Sequence, residues 1–140
     1  PGDGGTITLS MTLSGAPARL WVRGVVTATD EGGTTEAERS AGDTTAAGEL
    51  QTYVRVRLWY DADADGVAGG GERAAYEGSL AGLGDAGTEM GWIPLTATCV
   101  APGTHTAQFR WDLPVDTPNT VQTDGVSFSL GIAADTSECA

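Results

Sequence analysis

The chain has 140 residues, with 19 acidic against 7 basic side chains and a formal net charge of -12; every base is an arginine, and lysine is absent. This balance excludes nucleic acid as a partner, because phosphate neutralisation needs a basic stripe, and no apolar run reaches the roughly 18 residues of a membrane span. One domain is the expected size class, and high acidity without lysine fits concentrated salt, where a Debye length of about 3 Å at 1 M screens self-repulsion.

In chain order, GTITLSMTL opens an all-β pattern. Ile7, Leu9, Met11 and Leu13 alternate with Thr6, Thr8, Ser10 and Thr12, as in a strand with one buried face. ARLWVRGVVTATD repeats the pattern, setting Leu20, Val22 and Val25 against Arg19, Trp21 and Arg23. Residues 31–49, EGGTTEAERSAGDTTAAGE, have neither period nor apolar content and read as a long surface excursion. In QTYVRVRLWY, Val54, Val56 and Leu58 face one way, and Tyr53, Arg55, Arg57 and Trp59 the other. That arginine face is expected to meet aromatic and acidic neighbours.

The next stretch, DADADGVAGGGE, places Asp61, Asp63 and Asp65 at positions 1, 3 and 5, Gly66 at 6, the Val67 carbonyl at 7 and Glu72 at 12. A twelve-residue calcium loop needs this order, because the turn at position 6 folds the odd-numbered ligands inward and the late glutamate closes the shell. From the composition of the chain, roughly 0.007 such matches are expected by accident. Two readings stand: a structural calcium site and a solvated acidic turn. In either case the loop follows a strand, so its role is to pin a connection.

RAAYEGSL reads as a short strand or turn ending near Leu80, and Trp92 to Val100 as one strand interrupted at Pro94. GTHTAQFRWDL sets Ala107, Phe109 and Trp111 against Gln108 and Arg110. DGVSFSLGIAA sets Val126, Phe128, Leu130 and Ile132 against Ser127, Ser129 and Gly131, with a buried face. Seven or eight strands separated by turn signals give a single-domain β-sandwich of jelly-roll or immunoglobulin-like type over residues 1–140, and the jelly roll is the expected form. Cys99 and Cys139 have one histidine, His105, as a possible co-ligand, which argues against zinc. A disulfide between them is expected instead, and with it an oxidising compartment.

Several segments together carry a resemblance: the PGD turn at Pro1, Gly2 and Asp3; LWYD at Leu58 to Asp61; Trp111; Leu113 and Pro114; Asn119; and the Gln122, Asp124, Ser127, Phe128 pattern. In this order and spacing the chain resembles the filament-forming proteins of the TasA and camelysin (CalY) group, in particular haloarchaeal members with SipW-type signal peptides. The resemblance implies a secreted jelly-roll subunit that polymerises with copies of itself, in pilus-like or biofilm-matrix fibres, by lending a strand to its neighbour. It also places a further amino-terminal segment ahead of the PGD turn; the sequence starts at Pro1, so that segment is expected to be absent.

A catalytic role is not expected. His105 is the sole histidine, EGSLA is no nucleophile elbow, GVAGGGE lacks a phosphate-loop lysine, and Asp112 and Asp116 flank a Leu-Pro turn as solvated carboxylates. The competing function is a calcium-dependent adhesion or carbohydrate-binding module, with residues 61–72 and Trp21, Trp59 or Trp92 as a platform for cell-surface glycans. Localisation is extracellular in both readings, with no membrane insertion.

Overall fold

The computed structural model describes residues 2–30, 50–64, 73–84, 91–118 and 125–139. Seven strands are found among them: β1 (Gly4–Leu13), β2 (Arg19–Asp30), β3 (Arg55–Tyr60), β4 (Ala74–Ser79), β5 (Ile93–Pro94), β6 (Gly103–Asp112) and β7 (Gly125–Asp135). Two single helical turns, α1 (Leu50–Tyr53) and α2 (Leu80–Leu83), flank β3 and β4. Every pairing is antiparallel. The strands form a four-stranded sheet in the order β1-β6-β3-β4 and a three-stranded sheet in the order β5-β2-β7. Except for the β3–β4 hairpin, successive strands alternate between the sheets, and β6 returns to lie between β1 and β3. This is a β-sandwich wound in the jelly-roll manner.

The core is where the inward rows of the two sheets meet. Val56, Leu58, Ala107 and Phe109 from one sheet pack with Leu20, Val22 and Ile93 from the other. Phe109 of β6 and Phe128 of β7 stack across the layers with ring centroids 5.2 Å apart. α2 starts because the Ser79 hydroxyl accepts from the Gly82 N–H at 3.0 Å, capping the turn. The turn carries Leu80 and Leu83 into the core.

Four expectations change at this level. On β2 the inward alternation runs Leu20, Val22, Gly24, Val26, so Val26 packs against the core and Val25 is exposed. Trp59 lies on the arginine face yet is only 2% exposed; its cross-strand neighbour there is Gln108, itself 2% exposed, and the Arg57 guanidinium lies over its ring. The expected strand over Trp92 to Val100 reduces to Ile93–Pro94. Beyond Pro94 the Leu95 and Thr96 N–H groups both donate to the Leu20 carbonyl, which bends the chain off the ladder, and Val100 returns only as an isolated bridge to Ala18. Ile7 and Ile132, both read onto buried faces, are 41% and 38% exposed.

The expected disulfide is present. Cys99 and Cys139 are bonded with Cα atoms 6.0 Å apart, tying the end of β7 to the segment ahead of β6. The surface excursion at 31–49 lies outside the described residues.

Candidate functional site: an open groove between two edge strands

Among the described residues the strand order leaves four sheet edges: β1 and β4 in one sheet, β5 and β7 in the other. A bare edge presents unpaired N–H and C=O groups, and proteins blunt it with charge, proline, bulges or short length. β4 carries Glu77 and meets β3 through a register shift at Leu58/Trp59. β5 is two residues long and ends in Pro94. β1 has none of these features, and β7 has only a register shift against Val26/Ala28 of β2. β1 spans ten residues without a charged side chain or proline, and β7 is uncharged until its last residue, Asp135. Neither pairs with a further strand among the described residues.

The inward rows end unfinished at these two edges. Leu58, Phe109 and Ile7 are cross-strand neighbours on the inner face, and exposure along the row is 0%, 1% and 41%. In the second sheet the row Ile93, Val22, Ile132 reads 5%, 0% and 38%. Among the described residues, no further strand lies beyond either isoleucine to cover it. Between the two edges opens an apolar groove of about 330 Å³, floored by Phe109 and Phe128 and walled by Ile7, Trp111, Val126 and Leu80. α1 contributes Leu50, and Val54 completes the inner end. The Trp111 indole lies across Gly5, whose absent Cβ would fall 2.9 Å from the ring nitrogen, so a glycine there lets the indole reach the groove wall. Such a groove flanked by bare edges can receive an extended segment, whose backbone would pair with an edge while alternate side chains fill the apolar trough.

The acidic loop is only partly described. Asp61 ends β3 with 2% exposure, its N–H donating to the Thr106 carbonyl at 2.8 Å. Gln108 Nε2 donates to Asp61 Oδ2 at 2.8 Å, and Thr8 Oγ1 donates to Gln108 Oε1 at 2.8 Å, a chain of polar contacts spanning β1, β6 and the loop. Asp63 is exposed, and Ala64 takes a left-handed conformation at φ 55°. Asp65, Gly66, Val67 and Glu72 lie outside the described residues, as do Asn119, Gln122 and Asp124. Burial of a carboxylate at the first ligand position gave no signal in the sequence, since the acidic pattern alone reads as solvated.

At the same end of β3, Tyr60 and His105 are joined at 2.7 Å. His105 Nε2 lies 2.7 Å from the Ala101 carbonyl, which can only accept, so the neutral ring carries its proton on Nε2 and Nδ1 accepts from the Tyr60 hydroxyl. Burial raises the Tyr60 pKa above 10.0 and keeps that hydroxyl a donor. The pair braces a strand end, with the ring held at both nitrogens.

The arginine face collects Arg55, Arg57 and Arg110 around a shallow depression with Glu77 and Asp112. Arg57 pairs with Glu77 at 3.0 Å and lies over the Trp59 ring at 5.7 Å, the acidic and aromatic neighbours expected for it. Asp112 and Asp116 are both exposed. Of the three tryptophans read as a sugar platform, Trp59 is buried and drops out, whereas Trp21 and Trp92 share one cleft on the outer face of the second sheet.

No family model matches the chain, and no curated protein matches it in sequence. Among the described residues no helix is long and apolar enough to cross a membrane, and no group of three or more potential metal ligands occurs.

Proposed function

We propose that the protein is a secreted structural subunit of an extracellular filament, pilus-like or of biofilm-matrix type, which polymerises in high salt by strand addition between copies. The observation that carries this reading is the apolar groove between β1 and β7, two long edges with no proline and no charged side chain before Asp135. An extended segment of a second copy would complete the inward rows that stop at Ile7 and Ile132 and satisfy the free backbone groups beside them. Kinship with the TasA and camelysin group belongs to the same proposal and would supply its biological setting. An oxidising, extracellular location agrees with the Cys99–Cys139 bond.

Calcium belongs to the proposal as a structural ion, with no catalysis attached. Asp61, Asp63, Asp65 and Glu72 with the Val67 carbonyl would hold it. Of these, Asp61 and Asp63 are among the described residues: Asp61 is a buried carboxylate that accepts from Gln108, and Asp63 is exposed two residues on. A bound ion would clamp the β3–β4 connection.

Electron microscopy of the full-length gene product in molar salt, with and without calcium, tests the reading. Ordered fibres are expected, and a monomer under every condition would overturn it.

A further inference from the structure

We propose that the cleft between Trp21 and Trp92, on the outer face of the three-stranded sheet, is a binding site for an uncharged saccharide. The cleft lies on the opposite face of that sheet from the groove, so this inference stands whether or not the protein polymerises.

Register builds the cleft. Trp21 of β2 is flanked by Pro94 of β5 and Ala133 of β7; in the neighbouring rows Arg19 faces Asp135, and Arg23 faces Gly131. Because side chains alternate, all of these point away from the core while Leu20 and Val22 point into it. Trp92, just ahead of β5, reaches over the sheet until its ring lies 3.5 Å from where a Gly131 Cβ would stand. The small residues Gly131 and Ala133 keep the floor low between two half-buried indoles. The shallow, open space lined by Trp21, Trp92, Ala133 and Asp135 is about 260 Å³, room for one sugar ring.

The charges on the rim select the ligand class. Asp135 stays ionised at neutral pH: the Ser137 backbone N–H donates to its Oδ1 at 2.9 Å and, with the Ser137 side chain and the Arg19 charge, holds its carboxyl below the ordinary range. A small anion is therefore repelled at the open end. A small cation finds its seat taken, since the Arg19 guanidinium already lies 4.9 Å from the Trp21 ring centroid and also reaches Glu138 at 3.7 Å. A carboxylate acceptor and a guanidinium donor on the rim, beside the half-buried Trp92 indole, suit a neutral polyol with an apolar C–H side. Its ring would stack on Trp92 and pack against the edge of Trp21, one face of which Arg19 covers, and its hydroxyls would donate to Asp135 and accept from Arg19.

The test is an NMR titration of the folded protein with a panel of neutral trisaccharides (maltotriose, cellotriose, mannotriose and galactotriose), following the tryptophan indole N–H resonances. At least one sugar is expected to shift the Trp21 and Trp92 resonances saturably while the Trp59 resonance stays still. Trp92→Ala should weaken that binding about tenfold. Asp135→Asn, at an exposed position where folding is not in question, should weaken it several-fold by removing the charged acceptor. The proposal is overturned if no sugar in the panel moves either indole, or if Asp135→Asn and Trp92→Ala both bind as the unmodified protein does. It is also overturned if tetramethylammonium shifts these resonances and the sugars do not, which would make the cleft a cation cage. Shifts that follow protein concentration alone would make it a contact between copies, and likewise end the proposal.

Discussion

Leu83 fills the space that a side chain on Gly24 would occupy: a Cβ added to Gly24 falls 2.3 Å from Leu83 Cδ2 and 2.7 Å from its Cγ. Gly24 sits on the inward row of β2, and Leu83, 1% exposed, is delivered to it by the capped turn α2. The crossover from the β3–β4 hairpin is thereby keyed into the second sheet. Gly24→Ala should destabilise the fold by about 3 kcal/mol, at the upper end of ordinary overpacking, since Leu83 is enclosed and has little room to retreat. Urea unfolding measures this. In a Leu83→Ala background the same change should cost far less, and that non-additivity is the signature of the direct contact.

The Cys99–Cys139 bond closes a 40-residue separation. In the chain-entropy account this is worth about 4 kcal/mol, or a fall in Tm of roughly 10 °C when the bond is reduced or both cysteines are changed to serine. Calorimetry with and without reductant checks it. Without reductant, alkylation should label no thiol.

Tyr60 gives the alkaline limb of the stability curve a definite sign. Burial raises its folded-state pKa above 10.0, whereas in the unfolded chain it ionises near that value. The contribution is therefore complete below about pH 10 and is lost as pH rises toward the folded-state pKa. Tyr60→Phe removes the hydrogen bond to His105 and should lower stability at neutral pH by about 1 kcal/mol, while flattening the decline above pH 10. Denaturant midpoints from pH 8 to 11 report both effects.

Calcium occupancy of residues 61–72 should appear as stabilisation. At about a tenfold excess of ion over Kd the gain is about 1.4 kcal/mol, and sites of extracellular modules typically need millimolar calcium. Asp63→Ala, which removes the oxygen ligand at position 3, should abolish the gain, with the variant's own calcium-free Tm as the baseline. A Tm equal in calcium and in chelator would assign the loop to the solvated acidic turn.

For β1, β2, β3, β6 and β7, strand identity was legible from alternation alone. Ala107, Phe109 and Trp111 on β6, and Val56 and Leu58 on β3, face inward as their period requires. The misreadings have local causes. Gly24 has no side chain to mark the inward row, which drew the reading to Val25 in place of Val26. Trp59 keeps outward parity and is buried all the same, beside a neighbour from β6 that is far away in sequence. The groove was not legible, because alternation tells which face a residue joins and not which strand ends a sheet. Ile7 and Leu58 look alike in sequence, yet one is 41% exposed and the other 0%, since β1 is an edge and β3 is interior.

Ile7 offers the most direct test of strand addition, because it lines the groove, projects from an edge strand and is exposed enough to accept a charge without unfolding the monomer. The measurement is electron microscopy of the full-length gene product and its Ile7→Asp variant in molar salt, with circular dichroism confirming that both are folded. Fibres from the unmodified chain and none from folded Ile7→Asp are the predicted result. Equal fibres from both, or none from the unmodified chain, would contradict the account.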